Sequence, residues 1–244
     1  MRPTRDLSTL EVYLLGLVDF TDIQQLQRRI VYDLGEGGAA TLVLCEHPPT
    51  ISVGRSGSRA HIAADDEVLH GMGIRVHYVN RGGGCILHLP GQLAAYLMMP
   101  LGARELTLQG YVDGLHETIV RVLDEFDLAS TTRPELPGVF SGSSRIATVG
   151  VAVNRWIAYH GVTLNVGPYL ELFGLLDEPG IDRAPLRQTS MESRRQRAAP
   201  MGRVRESVIR HVEGVFGLSG HHLYTHHPQI RRKVLTHVYA PSPG

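Results

Sequence analysis

The sequence predicts a protein of mixed α and β structure, and three observations support that fold class. Short apolar runs of strand length lie at 40–45 and 93–99, as in strands buried on both faces. Apolar residues recur at helical spacing over 109–127, which predicts an amphipathic helix with one face toward a core. Residues 145–166 are typical of two strands joined by a turn, so we expect helices to pack on a sheet.

The expected elements of the first half of the chain alternate between strand and helix. In order they are an edge strand over 11–15, a helix capped by Thr21 and ending near Leu34, a central strand over 40–45, an element beginning over 50–55, a loop with a helical turn over 56–66, a strand over 74–79 and a buried strand over 93–99. Glycines after Leu34 end the first helix, because glycine tolerates the backbone conformations found there.

The second half of the chain is predicted to be helical at both ends, with a hairpin between. Its elements are a helix over 109–127, an irregular segment through 133–138, hairpin strands over 145–153 and 156–166 with Asn154-Arg155 as the turn, an exposed and mobile segment over 178–197, and a helix over 204–216. We expect one domain over 1–220 and a C-terminal extension over 221–244.

Composition excludes several classes of function. The chain carries 24 basic and 24 acidic residues, so no overall charge attracts nucleic acid or an anionic membrane. Two cysteines form neither a disulfide framework nor a metal cage, and we see no signal peptide or membrane-spanning run. We therefore expect a cytoplasmic monomer without a metal or other cofactor, and we interpret the histidines at 221–222 and 226–227 as a solvated surface stretch.

Three consecutive glycines mark the first candidate site. Gly82, Gly83 and Gly84 contribute no side chains and lose much entropy on folding, so we expect the backbone to lie very close to a ligand there. Arg81, a permanent cation, precedes the run, and His88 follows it. This stretch lacks the spacing and the following helix of a dinucleotide-binding loop, so it indicates a different kind of site.

The predicted hairpin holds a second candidate site. Gly150 lies in one strand, and His160-Gly161 lies in its partner, so the two strands bring glycines close to each other. Together with the glycine run, they favour a shared cleft. The cysteines differ: core packing is the favoured interpretation of Cys45, whereas Cys85 is either packed or an exposed thiol with a lowered pKa.

At this point the motifs together resemble the octanoyltransferases of lipoate biosynthesis. The matching pattern is R-G-G-x-x-x-x-H-x-P-G-Q over 81–92 with Tyr96, preceded by Glu46-His47-Pro48-Pro49 and Val53-Gly54-Arg55. Residues 145–150 and 159–166 match further motifs of the family in order and spacing. The resemblance covers about residues 10 to 215.

The resemblance implies a fold, a reaction and partners. The fold is an α/β fold of the α+β type, a mixed sheet flanked by helices as in the catalytic domain of biotin and lipoate protein ligases. The reaction is transfer of octanoyl from octanoyl-acyl carrier protein to a lysine on lipoyl domains of 2-oxoacid dehydrogenases and on the glycine cleavage H protein. By family position the substrate-binding residues are Arg81, Gly82, Gly83, Gly84, Cys85, Ile86, Leu87, His88, Thr148, Val149, Gly150, Gly161, Val162 and Thr163.

The chain departs from the family at the catalytic positions. The family's lysine position is Arg145, and its nucleophilic cysteine aligns with Pro179. Arginine is a poor base because its pKa exceeds about 12, and proline offers no nucleophile. The family's two-step covalent mechanism cannot run at these positions, which leaves Cys85, His88 and Arg145 as weak catalytic candidates.

Three hypotheses remain at the level of sequence. In the first, the chain is an acyltransferase in which the target lysine attacks the thioester directly, or Cys85 beside His88 replaces the missing nucleophile. In the second, it is an inactive relative that binds acyl chain, carrier protein or lipoyl domain. The third, an ATP-dependent ligase, is disfavoured because it needs a catalytic lysine and Lys233 is the only lysine.

Overall fold

A computed structural model describes residues 8–35, 38–177 and 186–230 of the chain. The strands are β1 Thr9–Leu17, β2 Thr41–Glu46, β3 Thr50–Val53, β4 Arg75–Tyr78, β5 Cys85–His88, β6 Gln92–Pro100, β7 Thr131–Arg133, β8 Leu136–Ser141, β9 Ser144–Asn154, β10 Ile157–Asn165 and β11 Gly220–Tyr224. The helices are α1 Phe20–Leu34, α2 Asp66–Gly71, α3 Leu108–Glu125, α4 Met191–Arg195 and α5 Met201–Phe216.

One large mixed sheet forms the centre of the fold. Its strand order is β11-β1-β2-β6-β10-β9-β8-β7. β1 runs parallel to both β11 and β2, whereas the pairings from β2 through β7 are antiparallel. Helices cover both faces of this sheet, so the predicted α+β architecture is confirmed.

The pleat of β6 shows how the sheet separates two cores. Alternate side chains of the strand, at 93, 95, 97 and 99, pack on one face with α3 and α5, and those at 94, 96 and 98 pack on the other face with α1. Successive residues of a strand point to opposite faces, so a strand between two helical layers is apolar throughout. The uninterrupted apolar run at 93–99 has this cause.

A second, smaller sheet stands beside the hairpin. Its order is β4-β3-β5, with β3 and β4 parallel and β3 and β5 antiparallel. It has an apolar core of its own, which includes Ile51, Leu69 and Leu87. The Gly82 N–H donates a hydrogen bond to the Val151 carbonyl at 2.8 Å, and this bond ties the glycine turn between β4 and β5 to the hairpin.

Two local predictions in the first half of the chain were wrong. β1 is not an edge strand, because β11 pairs along its free side. The cap of α1 is Asp19 and not Thr21: the Asp19 carboxylate accepts a hydrogen bond from the Thr21 N–H at 3.0 Å. An aspartate at this place satisfies a backbone donor that the helix leaves unpaired.

Strands were missed where they are short or follow glycine. Residues 85–88 form β5, not part of a loop, and the segment predicted to be irregular contains β7 and β8. The turn of the β9–β10 hairpin is Arg155-Trp156, one residue later than predicted, with φ of 49° and 60°. Two successive positive φ values match the right-handed twist of a tight hairpin.

The segment predicted to be exposed and mobile is partly packed. Residues 178–185 lie outside the described residues, but Thr189, Ser190 and Met191 are buried against the domain. The predicted C-terminal extension begins inside the sheet, since β11 includes residues 221–224. The domain boundary itself stays a prediction, and residues 231–244 lie outside the described part of the chain.

Candidate functional site

A narrow cleft lies between the glycine turn and the β9–β10 hairpin. The small sheet contributes Arg81, Ile86 and His88, the hairpin contributes Thr148, Gly150, His160, Gly161 and Thr163, and Phe20 and Tyr96 complete the lining. The structure therefore brings together the two segments that the sequence had singled out. The free volume of the cleft is only about 10 Å³.

The pleat of the hairpin decides which of its residues reach the cleft. Thr148 and Gly150 alternate along β9, and Gly161 and Thr163 alternate along β10, so all four lie on one face. The intervening valines, Val149 and Val162, point to the opposite face and belong to the core under α3 and α5. As side chains, these two predicted substrate-binding residues lie outside the cleft.

The same alternation divides β5. Ile86 and His88 line the cleft, whereas Cys85 and Leu87 pack in the core of the small sheet. The Cys85 thiol lies 3.6 Å from the Ser58 carbonyl oxygen, and the residue is only 3% exposed. The sequence had left open an exposed thiol at this position; the structure buries it on the other side of the strand.

Arg81 holds the glycine turn in shape. Its guanidinium donates to the carbonyl oxygens of Gly82 and Gly84, both at 3.0 Å, and to the Ser52 carbonyl at 2.7 Å. The hairpin strand that faces this turn needs glycine for close approach: a Cβ on Gly150 would lie 3.0 Å from Arg81 Cδ and 3.1 Å from the Gly82 oxygen. Of this segment Arg81 lines the cleft, and the glycine carbonyls serve mainly to fix it.

His88 is connected to Arg81 through Ser52. Arg81 donates to Ser52 Oγ at 2.8 Å, and Ser52 Oγ lies 2.9 Å from His88 Nε2. Since Ser52 Oγ already accepts from Arg81, its own proton is best placed on His88 Nε2, which leaves the imidazole proton on Nδ1. His88 Nδ1 is buried without a hydrogen-bond partner among the described residues. Burial, followed by the charges of neighbouring groups, holds the pKa of His88 well below its usual range, so the ring is neutral.

A second buried histidine supports the cleft from below. His47 Nδ1 donates to the Val18 carbonyl at 2.8 Å, and the Tyr96 hydroxyl donates to His47 Nε2 at 3.0 Å. Burial lowers the pKa of His47 to about 4, which agrees with this neutral tautomer. The Phe20 ring contacts both imidazoles, edge to face with His47 at a centroid distance of 5.2 Å and tilted against His88 at 4.9 Å.

His160 has an unusual backbone as well as a buried ring. Its φ is +63°, a left-handed conformation that costs energy for a residue other than glycine. Its N–H donates to Gln27 Oε1 of α1 at 2.8 Å. Burial lowers the pKa of His160 to about 3, with the charge of Arg81 as the next cause. Strain of this kind concentrates at functional sites.

The structure describes one of the two positions at which the family carries its catalytic residues, Arg145, but not Pro179. Arg145 is buried at the start of β9, and with the Gln188 amide oriented to satisfy both groups, its guanidinium donates to Gln188 Oε1 at 2.9 Å. It does not line the cleft. Pro179 lies outside the described residues.

Neither thiol of the chain reaches the cleft. Cys45 is fully buried behind His47, its sulfur 3.6 Å from Nε2, and burial raises the pKa of its thiol far above the usual range. Cys85 faces the other core. Because the sequence contains two cysteines, a thiolate nucleophile in the cleft is excluded. This burial disfavours the route through Cys85 suggested by the sequence, which stays a prediction.

Phe20 and Tyr96 were not predicted as site residues, and His160 was singled out in the hairpin but not counted among the substrate-binding residues. Phe20, Tyr96 and His160 line the cleft, and Ser52 orients His88. Tyr96 and His160 belong to the motifs that carried the resemblance, so their position in those motifs was an available signal. Phe20 and Ser52 gave none, because an aromatic at a helix start and a serine in a strand are common.

The described residues contain neither a metal-binding cluster nor a helix fit to span a membrane. Among the described residues, no group of three or more histidine, cysteine, aspartate or glutamate side chains is arranged to hold a metal ion. The helices of this same part of the chain are too short or too polar to cross a bilayer.

The chain matches known proteins in sequence. Residues 19–213 match the family profile of the lipoyl protein ligase A/B catalytic domain. An octanoyltransferase of Syntrophobacter fumaroxidans is 39% identical over 171 residues, covering 68% of this chain and 74% of the relative. An octanoyltransferase of Roseiflexus sp. is 35% identical over 216 residues, covering 87% and 89%.

Solved structures confirm the fold at low sequence identity. A lipoate-protein ligase A bound with ATP superimposes with a TM-score of 0.74 at 14% identity, over 91% of this chain and 90% of the other. A bipartite lipoate protein ligase from Thermoplasma acidophilum, studied with its E2 lipoyl domain, gives a TM-score of 0.71 at 17% identity, over 91% and 88%.

Proposed function

This chain belongs to the lipoyl protein ligase A/B catalytic-domain family, and from that premise we propose that it transfers an octanoyl group to a lysine of a lipoyl domain. Relatives of 35–39% identity, matched over two thirds or more of this chain, are octanoyltransferases. The donor is octanoyl-acyl carrier protein. The acceptors are lipoyl domains of 2-oxoacid dehydrogenases and the glycine cleavage H protein.

The observation that carries this proposal is the cleft itself. Gly150 and Gly161 leave backbone exposed on one wall, while Phe20, Ile86 and Tyr96 supply apolar surface. Such a surface suits an unbranched acyl chain, which gains by leaving water and has no polar groups to satisfy. By family position, the substrate lies against Arg81 to His88, Thr148 to Gly150 and Gly161 to Thr163.

The cleft opens when the acyl chain enters. Its free volume of about 10 Å³ is no more than the roughly 10–15 Å³ that a single water molecule needs. An octanoyl chain therefore displaces side chains, and Phe20 and Ile86 are the movable apolar groups of the lining. The glycine-lined wall is fixed by backbone pairing and stays in place.

Transfer proceeds by direct attack of the lysine amine on the thioester, because no thiol lines the cleft. The new C–N bond forms, the C–S bond breaks, and the proton lost by the amine ends on the departing thiolate. His88 is placed to donate its Nδ1–H to the carbonyl oxygen on which negative charge develops. Orientation of the two reactants contributes the rest of the barrier reduction.

The test is a mass measurement of the acceptor. Purified protein is incubated with octanoyl-acyl carrier protein and apo-lipoyl domain, and the domain is weighed. We expect octanoyl mass to accumulate above the background without protein, and to accumulate equally with Cys85→Ser. Octanoyl mass no higher than that background contradicts the proposed function.

A matched pair of variants tests the role of His88. His88→Gln removes the imidazole, and Ser52→Ala keeps it but removes the group that sets its tautomer. We expect His88→Gln to lower kcat by roughly 10²-fold, as for loss of one oxyanion donor, with a smaller fall for Ser52→Ala. An unchanged kcat in His88→Gln would show that His88 does not take part.

A further inference from the structure

A polar cavity adjoins the cleft at His160. It has a volume of about 260 Å³ and lies between α1, the end of β4 and the turn end of the β9–β10 hairpin. Gln27, Arg28, Asn80 and Tyr159 place polar groups in its wall, and His160 lines both this cavity and the cleft. The two spaces therefore meet at His160.

One amide nitrogen in the cavity wall is buried without a hydrogen-bond partner among the described residues. Gln27 is 1% exposed, and its Oε1 accepts the His160 N–H at 2.8 Å. That bond fixes the amide, but Gln27 Nε2 has no hydrogen-bond partner among the described residues. A buried donor left unsatisfied is costly, so a ligand acceptor that reaches this nitrogen recovers a lost hydrogen bond. The nitrogen has less than 1 Å² of accessible surface, so the cavity wall must shift slightly to admit that acceptor.

The other groups of the wall favour a negatively charged acceptor. Arg28 follows Gln27 on α1, and its charge acts on the His160 ring beside the cavity. Asn80 Nδ2 donates to the Tyr159 hydroxyl at 3.3 Å. None of the described residues that line the cavity is acidic. Donors and one cation without a carboxylate are the chemistry that recognises a carboxylate.

The size of the cavity fits a chain end. Its 260 Å³ would hold several groups of water size, at ~30 Å³ each, but it lies below the roughly 300–1,000 Å³ of a whole-ligand pocket. The apolar part of the same ligand would lie in the cleft. The arrangement therefore fits an acyl chain that is apolar along its length and charged at its far end.

We propose that the cavity binds the carboxylate end of acyl chains longer than octanoyl, so that the protein transfers ω-carboxyacyl groups as well as octanoyl. The inference rests on the proposed acyl transfer and uses the same step: the C–N bond to lysine forms, the thioester C–S bond breaks, and the amine proton ends on the thiol. The ω-carboxylate takes no part in the reaction and serves only to hold the chain.

Competing thioesters of equal length test the substrate class. Carrier protein is loaded with decanoyl or with 9-carboxynonanoyl, and kcat/KM for transfer to apo-lipoyl domain is measured for each, with octanoyl as reference. We expect a preference of about tenfold for the carboxylated chain, the size of one charge-assisted contact. Equal or lower kcat/KM for the carboxylated chain would overturn the proposal.

Variants of α1 assign that preference to the cavity. Gln27→Glu keeps an oxygen for the His160 N–H but replaces the amide donor with a repelling carboxylate, and Arg28→Gln removes the cation. Both should abolish the preference, so that kcat/KM becomes equal for the carboxylated and the plain decanoyl thioester. Arg29→Gln, at an exposed position that pairs with Asp33 and does not line the cavity, is the matched control and should keep the ratio.

Two further outcomes separate this inference from its alternatives. If Arg28→Gln raises KM equally for all carrier thioesters, the cavity holds the phosphate of the carrier arm and the inference is wrong. Calorimetric titration with decanedioic and decanoic acids tests binding without turnover: tighter binding of the dicarboxylate supports the inference even if no transfer occurs, and equal affinities overturn it. Failure of octanoyl transfer alone counts against the proposed function only.

Discussion

The cleft and the polar cavity meet at His160 but are built in opposite ways. The cleft has about 10 Å³ of free volume and is walled by glycine backbone, apolar side chains and buried neutral imidazoles. The cavity has about 260 Å³ and is walled by amides, hydroxyls and an arginine carried on an exposed helix face. The shape of the cleft therefore depends on backbone packing, and that of the cavity on side chains that can be replaced singly.

Acid should break this contrast most strongly, because the buried histidines take up protons readily only when the protein unfolds. The pKa of His47 is about 4 and that of His160 about 3 in the folded protein, against about 6.5 when unfolded. Both values are lowered, so the unfolded state binds more protons below pH 6.5 and stability falls as pH falls. Each histidine should cost about 2 kcal/mol between pH 7 and pH 5.

The measurement is the urea midpoint over that pH range. His160→Asn removes one titration while tolerating the positive φ. His47 and His88, whose pKa values are also lowered, still titrate, so the acid loss should fall by about a third. His70→Gln removes an exposed imidazole outside the cleft and serves as the control. A loss of the same size in His160→Asn and in the native protein would contradict the assignment.

Adding one methyl group to the glycine wall should have the next largest effect. A Cβ on Gly161 would lie 2.1 Å from the Ala95 carbonyl oxygen, a backbone atom that cannot move alone. We expect Gly161→Ala to lower the free energy of unfolding by about 3 kcal/mol, as in overpacked cores, and to impair octanoyl transfer. Gly214→Ala on α5, where nothing lies within 4 Å, should instead stabilise by up to ~1 kcal/mol. Equal changes in the free energy of unfolding for the two substitutions would contradict the packing argument.

Removing the Ser52 hydroxyl between Arg81 and His88 should disturb the orientation of His88 more than the stability of the fold. Ser52→Ala leaves the Arg81 bond to the Ser52 carbonyl intact but takes away the partner of His88 Nε2. We expect a loss of about 1–2 kcal/mol in urea unfolding, the cost of leaving a buried group unsatisfied. If unfolding is unchanged within error, Ser52 does not hold the imidazole.

The smallest expected effect is that of Tyr96→Phe. The substitution keeps the ring in the cleft lining and removes the hydroxyl that donates to His47 Nε2 at 3.0 Å. We expect about 1 kcal/mol of destabilisation by thermal or urea unfolding. A stabilised variant would mean that the Tyr96–His47 bond contributes nothing beyond the cost of burying it.

Elements marked by a helical stripe or an apolar run were predictable, and three short strands next to glycine or proline were not. The helix stripes of α1, α3 and α5 and the apolar runs of β2 and β6 were recognised because their periodicity extends over many residues. β5, β7 and β8 are three to six residues long, and β5 directly follows glycines that pointed to a loop. This error had a chemical consequence: without a strand at 85–88, the alternation that turns Cys85 away from His88 could not be applied.

The sequence by itself determined the family, the glycine run and the hairpin that faces it, because these are local patterns of residue type and spacing. Only the tertiary structure decided which side chains share the cleft: Phe20 and Tyr96 arrive from distant elements, and Arg145 meets Gln188 from a distant segment. It also decided the charge of the histidines. Burial in a folded core sets their pKa, and burial is a property of the whole packing and not of neighbouring residues in the chain.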